Sequence, residues 1–145
     1  MSVHILKMAV GIDSVDHLIR RQKERLEQAR ADGGTGDLRH FTRNMPRRAD
    51  EITQDGSIYW IIRGYVRIRQ RILGFEPVAG REGRRRCAVL LDPELVQTVL
   101  QPRKPIQGWR YLDPAAAPDD LDAVAPEAAG LPAPLAAELR ELGLI

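Results

Sequence analysis

The chain has 145 residues, of which 43% are hydrophobic and 29% are charged, a composition typical of one globular domain and not of a disordered segment. Its single cysteine, Cys87, excludes an internal disulfide and favours a reducing compartment such as the cytoplasm. One cysteine and three scattered histidines predict no metal site and no cofactor. No apolar run is long enough to cross a bilayer, so we expect no membrane contact.

The net charge of +2 conceals a strong asymmetry along the chain. Residues 1–38 carry six basic and six acidic side chains, residues 39–110 carry fifteen and seven, and residues 111–145 carry one and seven. A cationic middle section attracts polyanions over a Debye length of roughly 8 Å at physiological salt. The acidic C-terminal section is an internal competitor for that surface. Nineteen of the 22 basic residues are Arg, an excess that a GC-rich genome also produces without any functional reason.

The first third of the chain predicts a strand, a long helix and a second strand. Apolar residues from Val3 to Val10 indicate a short strand that ends at Gly11. Asp13 or Ser14 is a suitable N-cap for the following helix, because its side-chain oxygen accepts a bond from a first-turn amide. The apolar stripe of that helix consists of Val15, Leu18, Ile19 and Leu26. We predict a strand at residues 38–43, then a short helix that starts near Pro46.

The middle of the chain predicts a β-meander. Residues 57–63 are apolar at alternate and intervening positions, as in a central strand with both faces buried. Gly64 and Tyr65 suit a tight turn. Val66, Ile68 and Ile72 then alternate with Arg67, Arg69 and Arg71, which predicts one inward row and one exposed row of guanidinium groups, with Gln70 interrupting the inward row. Cys87, Val89 and Leu91 indicate a third strand, and residues 92–94 a bend or helical turn.

The C-terminal section is rich in Ala, Pro and Asp up to Gly130 and then predicts a short helix from Pro134, with Leu135, Leu139 and Leu142 on one face. We therefore predict one α+β domain over residues 1–112, and an acidic segment with a C-terminal helix over residues 113–145 that packs on it. The fold class is a small, mostly antiparallel β-barrel or curled sheet with one long N-terminal helix.

Five spaced motifs resemble a bacterial family known as domain of unknown function 1489. They are residues 45–51 (MPRRADE), 57–60 (SIYW), 69–74 (RQRILG), 91–95 (LDPEL) and 107–112 (QGWRYL). The resemblance implies no catalytic residue. At the level of fold, the order of elements is similar to the small barrels of the PUA-like superfamily, including the ASC-1 homology domains. That resemblance implies binding of RNA or modified bases, although the Asp55-Gly56 turn has the reverse order of the one in such barrels.

These observations favour a module that binds RNA or a nucleotide-like anion through an Arg-rich sheet face, because guanidinium groups bind phosphate oxygens in a bidentate manner and stack on bases. The candidate binding residues are Arg47, Arg48, Arg63, Arg67, Arg69, Arg71, Trp109 and Arg110. A solvated face that prevents sheet aggregation is the alternative explanation of the arginine row. Two other functions stay open: a small amidohydrolase-like enzyme acting on a modified nucleoside, for which the ASC-1 homology resemblance suggests Lys7, Thr42 and Glu51, and a protein-interaction module.

Overall fold

The structure, a computed structural model, describes residues 3–31, 33, 38–43, 45–79 and 85–121. Its elements are β1 (His4–Met8), α1 (Val15–Ala31), β2 (Leu38–Thr42), α2 (Ala49–Asp55), β3 (Ser57–Ile62), β4 (Tyr65–Ala79), β5 (Arg85–Pro102), β6 (Trp109–Leu112) and a 3-10 turn (Pro114–Ala116). The helix predicted from Pro134 lies outside the described residues. No helix in the described ranges is both long enough and apolar enough to span a bilayer.

The six strands form one mixed sheet in the order β2-β5-β4-β3-β1-β6. β1 pairs with β3 in parallel, and the other neighbouring strands pair antiparallel. β2 and β6 remain as edges, so the sheet is not closed into a barrel. The predicted α+β class and the mostly antiparallel sheet are confirmed.

The centre of the sheet matches the prediction closely. All six residues of β3 are buried, and the strand lies between β1 and β4. The turn into β4 lies one residue earlier than predicted. Its central residues are Arg63 and Gly64, not Gly64 and Tyr65. Their φ angles are 51° and 80°, and Ile62 pairs with Tyr65 across the turn. Positive φ at both central residues is the type I′ geometry, which matches the twist of a hairpin.

A β-bulge at Arg67 changes the alternation that the sequence predicts for β4. Val66 pairs with Ile61 and Ile68 pairs with Trp60, so that Arg67 is the extra residue between two consecutive pairs. An extra residue reverses which side the following side chains face. Val66 therefore packs in a different hydrophobic cluster from Ile68, and the prediction that both belong to one inward row is wrong.

The predicted bend at residues 92–94 is a second irregularity inside a continuous strand. Gln70 pairs with Leu95 and Ile72 pairs with Leu91, so the residues between Leu91 and Leu95 bulge out of β5. Asp92 stabilises this bulge because its Oδ1 accepts a hydrogen bond of 2.9 Å from the Glu94 amide. Residues 96–100 also belong to β5.

The sheet has two covered sides, which we call the helix face and the tail face. On the helix face, α1 packs through Val15 and Leu18 on the larger hydrophobic cluster, which includes Trp60 and Ile68. α1 starts at Val15 as predicted, and Ser14 Oγ accepts a bond of 3.1 Å from the His17 amide.

The predicted apolar stripe of α1 is wrong at one position: Ile19 is exposed, and the polar Gln22 is buried instead. On the tail face, the smaller hydrophobic cluster includes Leu6, Tyr59 and Leu112, and Ala117 from the segment after β6 packs against it.

Candidate ligand-binding site

The three arginines of β4 are engaged with the protein itself. Arg67 is 2% exposed. Its Nε donates a bond of 2.7 Å to the Ile62 carbonyl, and its Cζ lies 5.2 Å from the centroid of the Tyr65 ring. The expectation that this side chain projects into solvent is therefore wrong, because the bulge directs the guanidinium back onto the β3–β4 turn.

Arg69 and Arg71 hold other segments of the chain against the sheet. Arg69 forms a bidentate ion pair with Asp120, with distances of 2.6 Å from Nε to Oδ1 and 2.7 Å from Nη2 to Oδ2. The pair lowers the pKa of the Asp120 carboxyl and raises that of Arg69. Arg71 Nη2 donates to the Thr53 and Gln54 carbonyls at the end of α2, where a cation stabilises the helix dipole. The acidic segment thus does occupy part of the tail face.

The other predicted binding residues do not share one surface. Arg48 pairs with Glu51 and lies 5.5 Å from the centroid of the Tyr111 ring. Arg63 is exposed in the turn, and Arg47 is exposed before α2. Trp109 packs against the cluster on the helix face, whereas its neighbour Arg110 pairs with Leu6, a residue of the tail face.

A different cationic surface lies where both edge strands of the sheet line one groove. We call it the outer groove. Its volume is about 750 Å³, within the range of roughly 300–1,000 Å³ for pockets that enclose small ligands. The loop Gln107–Gly108 forms one wall, and the remaining lining residues are Lys7, Phe41, Thr42, Arg43, Arg86 and Trp109. None of these described lining residues is acidic.

Two aromatic rings and two arginines line the outer groove. Phe41, Arg43 and Arg86 come from the β2–β5 side, and Trp109 comes from β6 at the other edge. Phe41 is 46% exposed, and Arg86 Cζ lies 5.6 Å from its ring centroid. The Trp109 ring makes an edge contact with Tyr111 at 5.0 Å between centroids. Arg43 and Arg86 are both exposed. Cations beside exposed π-faces are the combination that binds phosphates and stacks bases in single-strand binders.

A second hollow, the inner cavity, lies between α1 and the sheet and meets the outer groove at Lys7, which lines both. Its volume is about 190 Å³. Its polar lining consists of Lys7, Arg21, Gln22, Arg25, Arg39 and His40, and no described lining residue is acidic. Burial lowers the pKa of Lys7. Arg39 is neutralised from outside by Glu76 at 3.2 Å.

His40 is the residue of the inner cavity with an unmet hydrogen-bonding requirement. Its Nε2 atom is buried and has no hydrogen-bond partner among the described residues. The ring makes an edge contact with Trp60 at 5.1 Å between centroids. Burial, together with the charges of Lys7 and Arg25, lowers the pKa of His40 to about 4. The imidazole is therefore neutral at pH 7.

Buried side-chain amides form a hydrogen-bond network beside this cavity. Gln22 on α1 and Gln70 on β4 exchange two side-chain bonds of 2.9 and 2.8 Å. Gln70 also accepts a bond of 3.2 Å from Trp60 Nε1 and donates one of 2.8 Å to the Asp92 carbonyl. The network satisfies the buried amide, as the low dielectric of a core requires. It therefore anchors α1 and the Trp60 ring that His40 contacts.

The family model of DUF1489, described as a protein of unknown function, matches residues 5–145. The chain belongs to the DUF1489 family. The resemblance predicted from the five motifs is thus confirmed. Comparison with curated proteins and with solved structures gives no match.

The sequence analysis did not identify most of the cations of this site. Arg21, Arg25, Arg43 and Arg86 look like ordinary surface residues in one dimension. His40 carries a signal that can be read beforehand, because it falls between Leu38 and Thr42 on the inward positions of β2, opposite Val89. Lys7 likewise falls between the buried residues Ile5 and Ala9. A titratable residue on the apolar side of a strand marks either a satisfied core group or a site.

The structure brings together only two of the three residues suggested for hydrolysis. Lys7 and Thr42 both line the outer groove. Glu51 lies on α2 and pairs with Arg48, and it lines neither hollow. The carboxylate of the suggested set is therefore absent from the described lining.

Proposed function

We propose that this domain binds a nucleotide, either free or at the end of an RNA strand, in the outer groove. The observation that carries the proposal is the convergence of Lys7, Arg43 and Arg86 with the rings of Phe41 and Trp109 around a groove whose described lining has no acidic residue. Phosphate contacts from the arginines would supply affinity, and stacking on an aromatic ring would add roughly 1–3 kcal/mol per base.

The proposal moves the predicted binding surface from the tail face to the outer groove. The β4 arginines already have intramolecular partners, and a phosphate would have to displace Asp120 or a carbonyl to reach them. Among the described residues, no carboxylate forms an ion pair with Arg43 or Arg86. Trp109 is the one member of the sequence-predicted set that lines the groove.

The test measures binding of fluorescein-labelled oligoadenylate to matched arginine variants. We expect Arg43→Gln combined with Arg86→Gln to weaken binding at least about tenfold, because each charge-assisted hydrogen bond contributes roughly 1.5–3 kcal/mol. We expect Arg47→Gln combined with Arg110→Gln, which removes the same charge from exposed sites outside the groove, to change affinity less than about threefold. Affinity should also fall as salt rises. Equal losses in the two double variants would mean that only the net charge matters and would refute a site in the groove.

A hydrolase acting in the same groove is the second candidate, because Lys7 and Thr42 both line it and the pKa of Lys7 is lowered by burial. The described lining offers no carboxylate as general acid or base, so binding without turnover is the function that the geometry supports better. Turnover of an acetylated nucleoside by the wild-type protein, lost on Lys7→Ala, would reverse this order.

A further inference from the structure

The inner cavity lies between α1 and the sheet and shares Lys7 with the outer groove. It also shares Arg25, Leu38, Arg39 and His40 with a wider hollow of about 590 Å³. Its own volume of about 190 Å³ equals roughly six water molecules at about 30 Å³ each. This is below the lower limit of roughly 300 Å³ for pockets that enclose a whole small ligand. The cavity is therefore the right size for one end group of a ligand whose remaining part lies in the outer groove.

The groups around the inner cavity define the chemistry of that end group. Lys7 approaches from β1, and Arg21 and Arg25 approach from α1. No carboxylate among the described residues lines the cavity or forms an ion pair with these three cations. His40 Nε2 adds a buried nitrogen with no partner among the described residues, an arrangement that is unfavourable unless a ligand or water satisfies it. Four nitrogen groups around a small space fit a compact oxyanion.

We propose that the inner cavity binds the terminal phosphate of the nucleotide whose base stacks in the outer groove, so that the domain selects phosphorylated ends over internal phosphodiesters. This inference rests on the proposed function. A monoester phosphate has one substituent and can enter a cavity of this size from the groove side. A monoester also carries nearly two negative charges and three free oxygens for these cations, whereas an internal phosphodiester carries one charge and two free oxygens. In a longer strand, Arg43 and Arg86 are placed for the next phosphate.

Binding of the phosphate also has a proton signature. The groups that face His40 are Lys7 on β1, Arg21 and Arg25 on α1, the Glu76-paired Arg39 on β2, and the uncharged Trp60 ring on β3. Burial and the nearby cations keep the pKa of His40 low. A dianion among those cations offsets their charge and raises the pKa of His40. We therefore expect proton uptake on binding near pH 5, visible as a shift of the His40 ring resonances.

The experiment compares tetraadenylate with and without a 5′- or 3′-terminal phosphate, by fluorescence anisotropy at constant salt. We expect wild-type protein to bind a phosphorylated form about tenfold more tightly, the effect of one or two charge-assisted bonds. The double variant Arg21→Gln and Arg25→Gln should lose this preference and keep its affinity for the unphosphorylated strand within about threefold. Both side chains are exposed on α1, so the fold is preserved. The matched control is Arg20→Gln with Lys23→Gln, which removes the same charge from exposed positions of α1 outside the inner cavity.

The outcomes separate this inference from the proposed function. Equal affinity of wild-type protein for phosphorylated and unphosphorylated strands, or a preference that survives Arg21→Gln with Arg25→Gln, overturns the terminal-phosphate site. Adenosine 5′-monophosphate binding as tightly as the phosphorylated strand assigns the site to free nucleotides, and weaker binding assigns it to RNA ends.

Inorganic phosphate tests the cavity independently of the groove. It should shift the His40 ring resonances, identified by their absence in His40→Gln, in wild-type protein and not in the Arg21→Gln, Arg25→Gln variant. If phosphate gives this shift while no nucleotide binds, the proposed function fails and the cavity remains an oxyanion site.

Discussion

Two groups of arginines in this molecule are in opposite situations. On the tail face and at its ends, Arg67, Arg69 and Arg71 each bind an acceptor of the protein, namely the Ile62 carbonyl, the Asp120 carboxylate and the last carbonyls of α2. The cations around the outer groove and the inner cavity instead surround open space. The comparison shows that an Arg-rich sequence pattern does not by itself locate a binding surface; the positions of intramolecular acceptors decide it.

The difference has a consequence for energetics. An arginine that binds a buried carbonyl contributes to folding, and its removal lowers stability. A cation beside an open hollow contributes little to folding, because no acceptor or opposite charge of the protein binds it. Arg67, Arg69 and Arg71 should thus be required for stability, and the cations of the outer groove and the inner cavity for binding. Separate measurements of unfolding and of ligand affinity can break this division.

The largest expected effect is on stability when the bulge residue Arg67 is replaced. We expect Arg67→Ala to lower the free energy of unfolding by about 3–4 kcal/mol, because it removes the charge-assisted bond to the buried Ile62 carbonyl and opens a cavity. Urea unfolding followed by tryptophan fluorescence measures the loss. The control Arg47→Ala, at an exposed position, should stay within about 0.5 kcal/mol of wild type. A loss no larger than that of the control would mean that Arg67 is not structural.

The pH dependence of the free energy of unfolding tests whether His40 is enclosed with the cations of the inner cavity. The pKa of His40 is lowered from 6.5 to about 4, so the unfolded chain binds the proton more tightly than the folded one. The neutral His40 side chain therefore contributes to the free energy of unfolding. This contribution is fully present above pH 6.5 and is lost as the pH falls through about 4. Its full size is about 3 kcal/mol at roughly 1.4 kcal/mol per pH unit.

The measurement compares urea unfolding of wild-type protein and of His40→Gln from pH 7 to pH 4. Other groups titrate in this range in both proteins, so the difference between the two curves isolates His40. We expect wild-type stability to fall more steeply. Parallel curves would show that His40 titrates normally and is not enclosed by the cavity cations.

The sequence predicted the parts of this fold whose cause is local. Six consecutive residues without a charge identify β3 as the central strand, and Ser14 marks the start of α1. The arginine row failed for a reason that is not local. One extra residue at Arg67 reverses the side that the following residues face, and no composition rule signals a bulge there. The bond from Arg69 to Asp120 joins residues that are 51 positions apart, a contact that periodicity cannot reveal.

The candidate site was predictable in its residue types more than in its place. Trp109 and Lys7 were both singled out, one for stacking and one for hydrolysis, and the structure brings them to one groove. The remaining cations come from α1, β2 and β5, and only the curl of the sheet and the packing of α1 bring them together. His40 and Gln70 show what was readable in advance: each is a polar residue at an inward position of a strand. Gln70 is satisfied by Gln22, whereas His40 Nε2 is not satisfied within the described chain.

The smallest expected effect concerns Arg63, an exposed arginine that the sequence placed in the binding surface. Its φ of 51° is unfavourable for a side chain with a Cβ, and Gly64 follows it at 80°. Asn tolerates this region better than Arg, and Asn-Gly is the preferred pair for a type I′ turn. We expect Arg63→Asn to raise the free energy of unfolding by about 0.5–1 kcal/mol and to leave nucleotide affinity unchanged, because Arg63 lines neither hollow. Arg47→Asn, at an exposed position outside the turn, should show no gain. If Arg63→Asn instead weakens binding without affecting stability, ligand contact extends beyond the outer groove and the inner cavity to this turn, and the division between structural and binding arginines does not hold there.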